Sequence, residues 1–174
     1  MRALMQQHTL RSALGLPLAL GAALLASSCS ASPANVAGTW SINLTNGTNG
    51  CMLDNWTPGE STSGIPVTFT QSGSAVTLTV MGGYATALDI YFGSHVFTGM
   101  VDGNRIDARL VGRAGGTGGC AYTPVIDLTG TVAGDTVTGQ LLWSFDTNTS
   151  PDCGMYATCQ TDQSMNGSRP PSGM

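Results

Sequence analysis

Leu128-Thr129-Gly130-Thr131-Val132-Ala133-Gly134-Asp135-Thr136-Val137-Thr138 reads as strand, tight turn, strand, and the chain writes this pattern three times. The earlier copies are Val67-Thr68-Phe69-Thr70-Gln71-Ser72-Gly73-Ser74-Ala75-Val76-Thr77 and Phe97-Thr98-Gly99-Met100-Val101-Asp102-Gly103-Asn104-Arg105-Ile106-Asp107. Successive copies begin 30 and 31 residues apart. Each has Thr in second place, a central Gly followed by Ser, Asn or Asp, and a β-branched residue three places after that Gly. A Gly-X pair between alternating runs is the signature of a two-residue β-hairpin.

Working outward, the same period of two recurs along the chain. Gly38-Thr39-Trp40-Ser41-Ile42-Asn43-Leu44 alternates apolar and polar faces, as a half-buried strand does. The pattern predicts eight strands, at about 38–45, 65–71, 75–81, 95–101, 105–112, 120–132, 135–146 and 155–165. Tyr84 to Phe92 has its apolar residues at helical spacing and reads as a short lid, or as an irregular strand. The long polar stretch 45–64 and the Gly-rich run 114–119 read as loops. Ile106, Ala108 and Leu110 face one way, whereas Arg105, Asp107 and Arg109 face water.

Sequential hairpins with one apolar face must close into a barrel or stack as two sheets. Gly99, Gly130 and Gly139 fall on the inward face, where glycine lets a strand coil sharply. The fold class is therefore all-β, an eight-stranded antiparallel up-and-down barrel, with a two-sheet sandwich as the alternative. Trp40, Phe69, Leu78, Leu128, Leu141 and Trp143 represent the expected interior, and Gln71 is its one clearly polar member. Such an interior is either filled by side chains or holds one small apolar ligand. Trp56, Tyr84, Tyr91 and Tyr122 are the candidate ligand-binding residues at the mouth.

Composition limits the partners. Only 9% of residues are charged and the chain lacks lysine. Past residue 29, ten acids stand against four arginines without a basic cluster, which argues against nucleic acid.

The first residues carry Arg2 and Arg11, then an apolar run from Ala13 to Leu25, then Ala26-Ser27-Ser28-Cys29. A basic start, a short apolar run and small residues form a secretory signal. Small residues leading into a Cys resemble the lipobox of bacterial lipoproteins, although Ala26 stands where that family usually has Leu. The resemblance implies lipidation at Cys29 and an anchor in a membrane. Ser30 in the next position implies outer-membrane sorting. Ordinary cleavage near Ser28 or Ala31, giving a soluble secreted protein, is the alternative. The organisation expected is a signal peptide over 1–28, a lipid-anchored tether over 29–36, a barrel domain over 37–169 and a disordered tail over 170–174.

With Cys29 assigned to lipid, Cys51, Cys120, Cys153 and Cys159 remain, an even number in an exported chain. Three pairings are open. Cys153 with Cys159, leaving Cys51 with Cys120, is the favoured one, and a four-thiolate metal site is the alternative.

Gly38-Thr39-Trp40 resembles the Gly-x-Trp that opens the first strand of lipocalin and avidin-like barrels. The resemblance implies an Arg from the chain end over that Trp, and Arg169 is the match. It covers the barrel alone, because the Pro- and Gly-rich tail cannot form the helix that follows the lipocalin barrel.

Catalytic signatures are missing. There is no Gly-x-Ser-x-Gly elbow, phosphate loop or dinucleotide fingerprint, so neither enzyme activity nor a cofactor is expected. His95 has no partner apparent from sequence. Asp102 and Asp135 sit in hairpin turns, and Asp107 and Asp127 face outward. The expectation is a non-enzymatic envelope lipoprotein with a lipocalin-like barrel for a small hydrophobic ligand; the alternative is a structural or surface-interaction β domain with a filled core.

Overall fold

The computed structural model describes residues 32–170. The signal segment, Cys29 and residues 171–174 of the expected tail lie outside the described residues. The elements in order are β1 (Gly38–Asn49), β2 (Ser61–Ser72), β3 (Ala75–Val80), α1 (Gly83–Tyr91), β4 (Val96–Asp102), β5 (Arg105–Val111), β6 (Gly115–Thr117), β7 (Cys120–Ala133), β8 (Thr136–Thr147), a 3₁₀ segment Pro151–Ala157, and β9 (Thr161–Ser168).

Each strand pairs antiparallel with its sequence neighbours, except that β5 skips β6 and pairs with β7, while β9 pairs with both β8 and β1. Those pairings close eight strands into one barrel rather than two stacked sheets. β6 lies outside the ring, hydrogen-bonded to the start of β7.

The three repeated hairpins are two-residue turns: Gly73-Ser74, Gly103-Asn104 and Gly134-Asp135. Their glycines have φ of 61°, 55° and 61°, and the residues after them do not share the positive φ. A positive φ at the first turn position alone is what a type II′ hairpin requires, and Gly supplies it without steric cost. All three turns lie at the same end of the barrel. The chain also enters and leaves there, through Val36 before β1 and Arg169 after β9.

That end is sealed. Trp40 is 1% exposed and donates its indole N–H to the Val36 carbonyl at 2.9 Å. The Arg169 guanidinium lies 4.9 Å from the centre of the Trp40 ring, the contact implied by the Gly-x-Trp resemblance. Arg169 also pairs with Asp135 at 2.9 Å, which ties the last strand to the third hairpin. The end of the segment expected to be a tether is bonded to the barrel. Ala34 N–H donates to the Gly103 carbonyl at 2.6 Å, and Val36 N–H donates to Gln71 Oε1 at 2.8 Å. Gln71 therefore fastens the incoming chain instead of presenting a polar group to the interior.

The alternation holds on the other strands. Ile42, Val67, Phe69, Val76, Leu78, Phe97, Ile106, Leu110, Ile126, Leu128, Val137 and Leu141 are buried in one core. Arg105 pairs with Asp107 at 2.7 Å on the outer surface, and Arg109 lies between Asp127 and Asp146 at 3.6 and 2.8 Å.

Two expectations need correction. The last strand is not 155–165, since Pro151–Ala157 forms a 3₁₀ segment and β9 starts at Thr161. Pro151 pre-sets a helical φ, and Ser150 caps the segment by accepting from the Asp152 N–H. The true β9 places Thr161, Gln163 and Met165 inward, too polar a face to stand out by hydropathy. The runs 114–119 and 45–64 are likewise not all loop, because the first contains β6, and β1 runs on to Asn49 while β2 begins at Ser61.

Glycine on the strands has a separate role from glycine in the turns. A Cβ on Gly99 would fall 2.0 Å from the Asp107 carbonyl oxygen and 2.5 Å from Ala108 Cα on β5. Backbone approaches that close require Gly. Gly99→Ala is expected to lower unfolding stability by about 3 kcal/mol through overpacking. Gly103→Ala, which only forces a positive φ, is expected to lower it by about 1 kcal/mol. Urea denaturation of the oxidised protein gives both values; equal costs would show that close coiling of β4 on β5 is not required.

Candidate functional site

The end opposite the tight turns carries the long connections: the β1–β2 loop, α1 between β3 and β4, β6 between β5 and β7, and the 3₁₀ segment between β8 and β9. A cavity of about 770 Å³ opens among them. Its wall includes Leu44, Leu53, Leu88, Phe92, Trp143 and Phe145. Val76, Val101, Ile106, Val132, Val137 and Trp40 are buried in the core but do not reach the wall. The turn-side half of the barrel is thus packed solid, and the space lies in the other half. The expectation of a filled interior thus describes one half of the barrel, and the other half is an open cavity.

The four expected ligand-binding aromatics all stand on this wall. Trp56, on the β1–β2 loop, meets Trp143 edge-on with ring centres 6.1 Å apart, and its indole N–H donates to the Gly47 carbonyl at 3.2 Å. Tyr122, in β7, stacks on Tyr156 at 4.9 Å and meets Phe145 edge-on at 5.7 Å. Tyr84 and Tyr91 lie at the two ends of α1 and are exposed, Tyr91 to 77%. Of the two readings of 84–92, a short helix or an irregular strand, the helix is the one present; it sits at the rim, although none of its residues is fully buried. Phe92, just after it, is buried and meets Trp143 edge-on at 5.4 Å.

Gln163 was not anticipated. It lies in β9 opposite Asn46 and is buried on the cavity wall. Its Oε1 accepts from the Trp143 indole N–H at 3.0 Å, and its Nε2 donates to Asn46 Oδ1 at 2.8 Å. The signal that could have found it is its place two residues from Met165 and Thr161 on an alternating face.

His95 does have a partner: its Nδ1 lies 2.8 Å from Asp89 Oδ1, which ties the end of α1 to the start of β4. This pair is absent from the cavity wall. Among the described residues, Asp54 is the one acidic residue on the wall. Nearby, Asp162 accepts from both the hydroxyl and the backbone N–H of Thr48. These bonds, the hydroxyl first, hold its carboxyl below the usual carboxylate range.

The disulfide pairing differs from the favoured one. Cys51 is bonded to Cys159, and Cys120 to Cys153. Adjacent strands explain this. β9 runs beside β1, so the residues just before β9 meet those just after β1. β8 runs beside β7, so the chain leaving β8 meets the first residue of β7. A Cys153–Cys159 bond would instead have pulled these two connections away from their strands. All four thiols are consumed, and the chain belongs to an oxidising, extracytoplasmic compartment.

Comparison with protein-family models, curated proteins and solved structures returns no match. The functional argument therefore rests on the geometry of the open end.

Both disulfides fasten connections at that end. In the chain-entropy account, closing 108 and 33 residues stabilises by about 5 and about 4 kcal/mol respectively. Paired Cys→Ser variants are expected to lose these amounts in urea titrations. Hydrogen exchange should place the first loss of protection in the β1–β2 loop or the 3₁₀ segment, with the three tight hairpins still protected; uniform loss would contradict the division into two halves.

Proposed function

We propose that the protein is a non-enzymatic cell-envelope lipoprotein whose barrel binds one small apolar molecule at its open end, as lipocalins do. The observation that carries this reading is the half-empty interior. A void of about 770 Å³ with a mostly apolar and aromatic wall falls within the usual range for small-molecule sites, about 300–1,000 Å³. Aromatic residues on that wall offer broad apolar area at low entropic cost. The lone Asp54 supports a binding role over paired-carboxylate hydrolysis, which needs two acids across a cleft.

The anchor at Cys29 fits the same picture. From Cys29 to Ala34 the chain spans at most about 18 Å, and Ala34 is bonded at the sealed end. β1 and β2 each run 12 residues, which at barrel tilt gives a height of roughly 30 Å. A lipid at Cys29 therefore turns the sealed end toward its membrane and the mouth away from it, toward the compartment from which ligand arrives. Sorting to the outer membrane, implied by Ser30, is compatible with that orientation.

Two experiments test these statements. Leu44→Trp puts a bulky ring into the void. It is expected to weaken binding of the apolar dye N-phenyl-1-naphthylamine at least tenfold while changing unfolding stability by less than about 1 kcal/mol. A filled interior would lose about 1–3 kcal/mol to overpacking and show no dye binding to lose. Cys29→Ser in a bacterial host is expected to move the protein from the detergent phase to the aqueous phase; retention in detergent would refute the anchor.

A further inference from the structure

Resting on the binding reading above, we infer that the cavity selects uncharged ligands bearing a hydroxyl or carbonyl group, and that Gln163 reads this group.

The argument begins with what the wall lacks. The chain has no lysine, and among the described residues neither arginine nor histidine lines the cavity. The four arginines among the described residues are placed elsewhere. Arg105 and Arg109 pair with acids on the outer surface, Arg169 caps Trp40 at the sealed end, and Arg113 lies against Gly93. An anionic head drawn into this cavity would lose its water and gain no counter-charge, at a cost of several kcal/mol. The mouth is acidic on balance, because Asp54, Glu60, Asp152 and Asp162 belong to its connections or to the adjoining strand ends, against Arg113 in the β5–β6 connection, while Asp146 is paired with Arg109. A cationic head fares little better inside. Asp54 is exposed, so its charge is spent on water and gives no buried partner.

What the wall does offer is one buried neutral amide. A glutamine side chain has two N–H donors and two carbonyl lone pairs. Trp143 and Asn46 use one of each in Gln163. One N–H and one lone pair remain for a ligand. A hydroxyl can use both, and a carbonyl can use the N–H. The amide is also braced from two strands, so its position is fixed before any ligand arrives.

The test uses three probes with the same chain, dodecanol, dodecanoate and dodecylammonium, displacing N-phenyl-1-naphthylamine from the full-length protein at pH 8. There the acid and the amine are both charged. Dodecanol is expected to displace the dye at a concentration at least tenfold lower than either charged probe. Lowering the pH through the carboxylic acid range should bring dodecanoate toward dodecanol as its head is neutralised. Gln163→Glu is the second arm. It keeps an acceptor for Trp143, and Asn46 can meet the new carboxylate by turning its amide, at the loss of the bond its Nδ2 gives the Thr57 carbonyl. In this variant dodecylammonium is expected to gain at least tenfold over dodecanol relative to the wild type, because the head now meets a buried charge.

Dodecanoate or dodecylammonium matching dodecanol on the wild type would overturn the proposal. So would an unchanged ranking in a folded Gln163→Glu variant, since the head would then stay in the solvent at the mouth. If the variant fails to fold, the wild-type ranking still decides. Dye binding with no displacement by any probe overturns this inference and leaves the binding reading standing, whereas absence of dye binding removes both.

Discussion

The ring closes through the hydrogen bonds between β5 and β7, and the rest of the molecule follows from that seam. Seven residue pairs, from Arg105 with Thr131 to Val111 with Val125, remove the edges an open sheet would have left. For the seam to form, eight strands must coil far enough to bring β5 back to β7. Glycines on the inner face permit this. Gly99 lies against β5, and Gly139 would place a Cβ 2.3 Å from the Thr129 carbonyl oxygen on β7. Where no side chain separates them, adjacent strands can bend together, and a flat sheet becomes a closed one.

Closure also divides labour between the two ends. Three two-residue turns draw the strands together at one end, where Trp40, Val36 and Arg169 fill what space is left. The long connections hold the strands apart at the other. Among the described residues nothing large enough to fill the interior enters from that side, because α1 lies on the rim without burying any residue. The void is therefore a consequence of topology, and its apolar wall is simply the core face of the strands continued past the point where the core ends.

The parts legible in the sequence were those governed by local periodicity and local turn geometry. Val76, Ile106 and Val137 return at a fixed distance from their turn glycines, and period two then assigns every neighbour a face. Arg169 over Trp40 was legible through a family resemblance and not through spacing. The disulfides were not legible from linear proximity. Cys153 and Cys159 are six residues apart in sequence, yet they serve different strand pairs, because the chain crosses from the β7 side of the ring to the β1 side between them. β9 was misplaced for a related reason. Its inward residues Thr161 and Gln163 are polar, and their hydrogen-bond partners Asn49, Cys51, Asn46 and Trp143 are all distant in sequence. A hydropathy pattern cannot register burial that is satisfied by remote partners.

The same partners explain why the rim is not uniformly firm. The β1–β2 loop and the 3₁₀ segment are each fixed by a disulfide, and the Thr48–Asp162 and Asn46–Gln163 bonds tie β1 to β9 beneath them. α1 has no such bond. It is held by Leu88 and Phe92 against the core, by the Asp89–His95 pair, and by the Arg113 N–H donating to the Phe92 carbonyl at 2.8 Å. Ile90 and Tyr91 stand 70% and 77% exposed. Few buried contacts mean a low free energy of local opening. Of the elements surrounding the mouth, α1 and β6 carry no disulfide; β6 is hydrogen-bonded along β7, so α1 is the element freest to move, and the braced rim keeps one side that can open.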